Sequence, residues 1–187
     1  YIPWHRRLLT VEDTAELQVY HDHWLRMETR RERPDGTPEV DMNDCLKSSL
    51  RMRPDRIIVG EVRGPEAATL LTAMNTGHDG SFGSLHANTA QETVTRMINP
   101  PMNVPPIMLT GLDLIIIQAR LHVNGKTARK ITEVAEIAGM EGSKPRLNTI
   151  WKYNAATDQI EETGIPSNLR EVICKAAGVT PDDFERH

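Results

Sequence analysis

The stretch from residue 53 to residue 88 constrains the fold more than any other part of this chain. Residues 57–59, Ile-Ile-Val, form a β-branched apolar run that ends at Gly60. Such a run is typical of a strand buried on both faces of a parallel sheet. Glu61 follows at the carboxyl end of this strand, where open α/β sheets bind their ligands. The sequence therefore predicts a ligand site beside Glu61.

A glycine-rich segment follows this strand after one predicted helix. Pro65 suits the first position of that helix, and Gly77 suits the left-handed backbone that ends it. Residues 82–85 then predict a second strand, which ends at His86. The glycines follow a helix and precede a strand, which is the reverse of a dinucleotide-binding fingerprint. His86 can donate a hydrogen bond to a phosphate or contact Glu61, although a lone histidine is more often structural.

Three carboxylates follow another short apolar run, residues 8–11, near the start of the chain. They are Glu12, Asp13 and Glu16. Acidic residues at the end of a strand can coordinate a magnesium-bound phosphate or position a water molecule. The alternative is an ordinary junction between strand and loop, in which Asp13 or Thr14 caps a helix. Spacing alone favours neither interpretation.

Arginines and histidines are concentrated in the next segment, residues 21–33. Arg26 and Arg30 would point the same way on a helix, whereas Arg26, Glu28 and Arg30 would share one face of a strand. Guanidinium groups match phosphate oxygens, so these arginines are candidates for binding a phosphate across a subunit boundary. The alternative is a charged surface whose arginine–glutamate pairs contribute little energy.

Three further helices are predicted from their capping residues. Asp41 begins a helix that runs to residue 50, and a capping box begins another at residues 89–98. Ser167 begins the last one, which Gly178 ends. The predicted buried stripe of that helix is Leu169, Val172, Ile173 and Ala176. Residues 180–183 predict the start of one more helix.

Residues 112–163 predict antiparallel strands. The dipeptide Asn124-Gly125 is a strong signal for a type I′ hairpin. A second hairpin is expected to turn at residues 154–158, and we expect both hairpins to extend the parallel sheet. Before them, four prolines between residues 100 and 106 predict an extended, semi-rigid connection.

Composition excludes several classes of protein. The formal net charge of −4 argues against a surface covered in basic residues, so neither a concentrated basic stripe nor a nucleic-acid partner is expected. Cys45 and Cys174 lack the spacing of zinc ligands and are expected to be buried thiols. No apolar run approaches the ~20 residues of a membrane-spanning helix.

Taken together, these motifs resemble the ATPases of type II and type IV secretion systems and of type IV pilus assembly. Residues 10–17 are similar to the Asp box of that family, residues 56–63 to its Walker B box, and residues 76–88 to its His box. The resemblance is strongest to the ATPases of tight-adherence pili (CpaF/TadA type), and next to conjugative-transfer ATPases of the TrbB and VirB11 type. It extends over residues 5–142.

The resemblance implies an α/β fold, namely the carboxyl-terminal portion of a RecA-like P-loop NTPase core. It implies a partial ATPase domain over residues 1–165 and a helical tail over residues 166–187. ATP and Mg²⁺ are the implied cofactors. The implied catalytic residues are Glu61, Glu12, Glu16 and His86; the implied nucleotide or interface arginines are Arg26, Arg30 and Arg63; and Asp13 is implied to contact Mg²⁺ indirectly.

The resemblance also implies partners and a location. The parent protein is expected to form a homo-hexamer and to dock on an inner-membrane platform protein, as a cytoplasmic protein attached peripherally to the membrane. The implied activity is ATP hydrolysis coupled to protein secretion or pilus assembly. The alternatives are a non-catalytic module for ring assembly and a conjugative DNA-transfer ATPase.

One motif of the family is absent from these 187 residues. They contain no Gly-x-x-x-x-Gly-Lys-Ser/Thr, the loop whose backbone amides and lysine hold the β- and γ-phosphates. In the family this loop precedes the Asp box, so here it would lie upstream of Tyr1. We therefore predict that the isolated chain neither binds ATP tightly nor hydrolyses it, whereas the parent protein does both.

Overall fold

The computed structural model describes residues 2–123, 125–180 and 183. The chain divides into two compact units, the first made from Tyr1–His86 and Arg96–Gly111 and the second from Ala87–Thr95 and Leu112–His187. The helix beyond residue 165 belongs with the preceding strands in the second unit. Whether residues 1–165 and 166–187 fold as separate domains stays a prediction.

The first unit is built on a parallel four-stranded sheet with the order β2-β1-β3-β4. Its strands are β1 (Leu8–Glu12), β2 (Trp24–Glu28), β3 (Arg56–Val59) and β4 (Phe82–Gly83). The helices of this unit are α1 (Met42–Leu50) and α2 (Glu66–Asn75). Because all neighbouring strands are parallel, their carboxyl ends share one edge of the sheet.

The centre of this sheet is apolar, as the sequence predicts. All five residues of β1 are buried, and Ile57 in β3 is fully buried. Asp41 begins α1 as expected, because its carboxylate accepts a hydrogen bond of 2.7 Å from the Asp44 amide. The helix α1 packs on β1 and α2.

The proline-containing connection is not extended. Pro106–Gly111 form a 3₁₀ helix, and the Pro100–Pro101 peptide bond is cis. The prediction fails because apolar side chains between and just after the prolines are buried: Val104 is 1% exposed and Leu109 is fully buried. Burial of these side chains holds the segment against the rest of the unit.

The second unit contains an antiparallel four-stranded sheet with the order β5-β6-β7-β8. Its strands are β5 (Leu114–Val123), β6 (Lys126–Glu141), β7 (Lys144–Asn154) and β8 (Gln159–Glu162). Two helices contribute to it, α3 (Ala90–Ile98), within which the division between the units falls, and α4 (Asn168–Ala177).

The two predicted hairpins are present, but among the described residues they do not extend the parallel sheet. Each antiparallel strand pairs with its neighbour in sequence, so the hairpins form a separate antiparallel sheet. Val123 lies opposite Lys126, while Asn124 itself lies outside the described residues. The helix predicted to start at residues 180–183 also falls largely outside them.

The last helix begins and ends as predicted, but it buries a different face. Ser167 accepts a hydrogen bond of 3.0 Å from the Arg170 amide, and Gly178 has a φ of 67°. The predicted stripe is wrong, because Val172 is 62% exposed whereas Cys174 is only 3% exposed. Several overlapping stripes fit the helical period, and contact with β6 selects the one through Cys174.

No helix among the described residues combines the length and the hydropathy of a membrane span.

Candidate functional site

The carboxyl edge of the parallel sheet brings three predicted segments together. Val11 and Val59 lie side by side in register, so the residues that follow them, Glu12 and Gly60, are also neighbours. The Gly60 amide donates a hydrogen bond of 2.9 Å to the Val11 carbonyl. The loop that begins at Gly60 therefore leaves the sheet beside the acidic segment after β1, and it carries Glu61.

Glu61 and His86 are in contact at this edge. Glu61 Oε1 lies 3.2 Å from His86 Nε2, and Glu61 Oε2 lies 3.5 Å from Arg63 Nε. The Glu61 side chain is 31% exposed and the His86 side chain is 89% exposed, so both are open to a ligand. The structure places these residues together as expected from the sequence, while their catalytic roles stay predictions.

Arg63 joins Glu61 to Asp13. Arg63 Nη2 lies 2.8 Å from Asp13 Oδ2, and the Thr29 hydroxyl donates a hydrogen bond of 2.7 Å to Asp13 Oδ1. The Thr29 hydroxyl and then Arg63 lower the pKa of Asp13, and Asp13 followed by Glu61 raises the pKa of Arg63. The edge thus carries a row of three charged side chains, Asp13, Arg63 and Glu61, and His86 lies next to Glu61.

Glu12 has a different environment, because its side chain is buried. The residue is 3% exposed, and its Oε1 accepts hydrogen bonds from the amides of Glu16 at 2.9 Å and Leu17 at 2.8 Å. Its Oε2 lies 3.7 Å from Arg26 Nε and has no hydrogen-bond partner among the described residues. Glu12 therefore organises the loop after β1.

The alternative that Asp13 or Thr14 caps a helix is wrong. The described residues after Glu12 form a loop as far as β2, without a helix. The reason is that Glu12 itself accepts the amides of this loop, in the position where a helix would have used backbone carbonyls.

Arg26 belongs to the strand β2, which settles the choice between helix and strand. Its guanidinium lies 4.5 Å from the centre of the Trp24 ring and donates a hydrogen bond to the Leu17 carbonyl. Through Glu12 and Leu17 it is connected to the site from within the same chain.

Arg30 and Glu16 are not brought to Glu61 within this chain. Arg30 lies beyond β2, bridges to Val40, and donates a hydrogen bond of 3.0 Å to the Pro38 carbonyl. The Glu16 carboxylate is exposed and makes no hydrogen bond or ion pair with the residues that the structure describes.

Two positioning residues were not found from the sequence. The Glu66 carboxylate, 6% exposed, accepts hydrogen bonds from the amides of Arg63 at 2.6 Å and Gly64 at 2.7 Å. The Ser84 carbonyl accepts a hydrogen bond of 2.8 Å from the Val62 amide. Together they hold the loop that carries Glu61. The acidic residue in the first turn of α2 was the available signal for Glu66.

The fold defines a class of protein, because the solved structures that it resembles are RecA-like secretion ATPases. In its fold the chain is similar to the VirB11 ATPase from the Brucella suis type IV secretion system, solved in complex with sulphate. The TM-score is 0.58 at 30% sequence identity, over 72% of this chain and 41% of that chain.

The chain matches the type II/IV secretion system protein family over residues 2–177 and belongs to it. A probable conjugal transfer protein TrbB of Sinorhizobium fredii is 46% identical over 163 residues, which are 83% of this chain and 44% of that protein. An uncharacterised protein of Methanocaldococcus jannaschii is 35% identical over 174 residues, 92% of this chain and 64% of that protein. The chain therefore spans less than two thirds of the length of either relative.

Proposed function

We propose that this chain forms part of an ATP-driven motor that powers protein secretion or pilus assembly. Membership of the type II/IV secretion system protein family supports this. The observation that carries the proposal is the contact of 3.2 Å between Glu61 and His86 at the carboxyl edge of the parallel sheet. Open α/β sheets bind their ligands at this edge.

In this proposal Glu61 polarises the attacking water. Its carboxylate is partly exposed, so it can accept a proton or a hydrogen bond from a bound water, and His86 and Arg63 hold it from two sides. His86 is the more exposed of the pair and would contact the terminal phosphate. Glu12 contributes by fixing the loop after β1, and Glu16 by its exposed position on that loop.

The residues present suit a magnesium–nucleotide complex only in part. Among the described residues no group of three or more histidine, cysteine or acidic side chains is arranged to hold a metal ion. Magnesium usually keeps several waters and takes one or two carboxylates together with phosphate oxygens, a demand that Asp13 and Glu61 can meet. Bound there, it would neutralise charge on the phosphates. We propose that residues other than these 187 supply the phosphate-cradling loop.

The proposal also includes an assembly. Motors of this kind hydrolyse ATP between subunits, and we propose a homo-hexamer in which Arg30 is available to a neighbouring subunit. Arg26 serves the same interface from its position beside Glu12. The ring would dock on an inner-membrane platform protein at the cytoplasmic face of the membrane.

A second candidate function is conjugative DNA transfer. It is favoured by the identity of 46% to a probable conjugal transfer protein. The two functions differ in their response to nucleic acid, since a DNA-transfer motor is expected to be stimulated by single-stranded DNA in a salt-dependent manner.

The test is ATP hydrolysis by a protein that joins this chain to a family segment containing the phosphate-binding loop. Glu61→Gln is expected to lower turnover about 10²-fold or more, because it removes the group that polarises water. Glu39→Gln, on an exposed loop, is the matched control and should keep full activity. Unchanged turnover in Glu61→Gln would contradict the proposal, and a folded ring without any hydrolysis would favour the non-catalytic module.

A further inference from the structure

One face of the antiparallel sheet is left open by the rest of its unit. Side chains directly opposite each other in antiparallel pairs point to the same side. The register therefore puts one set of residues on a common face, termed here the open face: Ile116, Gln118, Arg120, His122, Thr127, Arg129, Ile131, Val134, Trp151 and Glu162. At one end of this face Leu114 lies opposite Glu136, whose carboxylate holds the start of α4.

The part of the open face next to α4 is exposed and mainly apolar, and Glu162 is its one exposed carboxylate among the described residues. Ile116 is 57% exposed, Ile131 is 44% exposed and Trp151 is 36% exposed. A cleft of about 1000 Å³ lies between this part of the sheet and residues 164–173. Its apolar lining includes Ile131, Val134, Trp151, Ile160, Ile165 and Ile173. A cleft of this size suits several apolar side chains of a bound segment.

The far end of the open face is basic. Between Asp113 and Glu133 the sequence contains no acidic residue. Arg120 lies directly opposite Arg129, and like charges in such a pair destabilise a sheet. Both side chains are exposed, and neither forms an ion pair with any residue that the structure describes. The formal net charge of −4 is compatible with this local basic patch, because a net charge averages over the whole molecule.

We propose that the open face binds an acidic amphipathic segment of a partner protein. Apolar side chains of that segment would occupy the cleft, and its carboxylates would lie between Arg120 and Arg129. The combination selects this partner, since an apolar ligand alone gains nothing from the arginines. A flat membrane surface does not enter a cleft bounded by α4, and phosphate-backbone binding does not use the apolar side chains. The open face belongs to the second unit and Glu61 to the first, and the proposal does not depend on ATP hydrolysis.

The test uses two synthetic helical peptides with an identical leucine stripe, one carrying glutamates and the other lysines. Binding to the full chain is measured by fluorescence anisotropy of a labelled peptide. The acidic peptide is expected to bind, more weakly as salt increases, and the basic peptide is not. Arg120→Glu with Arg129→Glu should weaken binding of the acidic peptide about tenfold or more, so that the basic peptide binds better than the acidic one.

Two further variants separate charge from apolar contact. Ile131→Ser with Ile173→Ser should weaken binding of the acidic peptide about fivefold or more, since both side chains line the cleft. Arg33→Glu with Lys47→Glu changes the net charge as much as the arginine variant does, at exposed positions of the first unit, and should leave binding unchanged. Urea unfolding of every variant confirms that it is folded.

Three outcomes would overturn the proposal. The first is equal binding of the two peptides, and the second is acidic-peptide binding that survives reversal of both arginines. The third is that the acidic peptide does not bind, whereas a single-stranded oligonucleotide, or vesicles that contain phosphatidylglycerol, bind through Arg120 and Arg129. That third result would assign the open face to a lipid surface or to nucleic acid instead.

Discussion

The side chain of Glu12 packs against Gly60, with its Cγ 3.0 Å from the position that a Cβ atom on Gly60 would occupy. Glu12 ends β1, and Gly60 follows the neighbouring strand β3. Any side chain at position 60 would need space that the buried carboxylate already fills. Packing against Glu12 therefore favours glycine at the position before Glu61.

Gly60→Ala is expected to destabilise the protein by about 1–3 kcal/mol, the usual cost of overpacking. The Glu12 side chain cannot move aside freely, because its Oε1 holds two backbone amides. Urea unfolding measures the effect. In a Glu12→Ala background, Gly60→Ala should lower the free energy of unfolding much less. An equal loss in both backgrounds would contradict the packing argument.

Glu12→Ala is expected to lower the free energy of unfolding by about 2–4 kcal/mol, because it leaves the amides of Glu16 and Leu17 without an acceptor. Glu12→Gln keeps an oxygen acceptor and should cost clearly less. Amide hydrogen exchange at residues 16 and 17 reports the loss directly. Unchanged protection in Glu12→Ala would show that the loop does not depend on this carboxylate.

Glu136→Ala is expected to loosen α4. The buried Glu136 carboxylate, 2% exposed, accepts hydrogen bonds from the Ser167 hydroxyl and from the Asn168 amide at 2.8 Å. Hydrogen exchange should accelerate throughout Asn168–Ala177 while β6 stays protected. Ser167→Ala removes the cap and one hydrogen bond to the carboxylate but keeps the bond from the Asn168 amide, so it is the matched comparison and should affect only the first turn of the helix.

The stability difference between the wild type and Asp158→Asn is expected to depend on pH. Lys130 and then Tyr153 lower the pKa of Asp158 from its ordinary value of 3.8. A carboxylate whose pKa is lower in the folded state stabilises that state above the unfolded pKa, and this contribution is lost as pH falls through the folded pKa. The difference in the free energy of unfolding should therefore be largest near neutral pH and should disappear in acid.

Asparagine is the suitable replacement because Asp158 has a φ of 56°, a left-handed conformation that asparagine tolerates. Urea unfolding at a series of pH values measures the difference. With Lys130→Met in both proteins the pH dependence should shrink, and a difference that stays constant from neutral to acid pH would contradict the expectation.

Much of the local structure was predictable from the sequence. Residues 57–59 predict a buried strand because a continuous β-branched run has no solvent-facing side. Asp41, Ser167 and Gly178 mark helix ends because capping depends on a few adjacent residues. The order of the family boxes identified the class of protein for the same reason, since each box is contiguous in the chain.

The sequence by itself thus determined the strands, the caps, the family and the acidic residues of the candidate site. Only the tertiary structure decided that Glu61 contacts His86, that Glu12 is buried against Gly60, and that Arg120 faces Arg129. These relationships depend on strand register and on packing between residues far apart in the chain. Periodicity and spacing do not encode them, because the same local pattern is compatible with several registers and several buried faces.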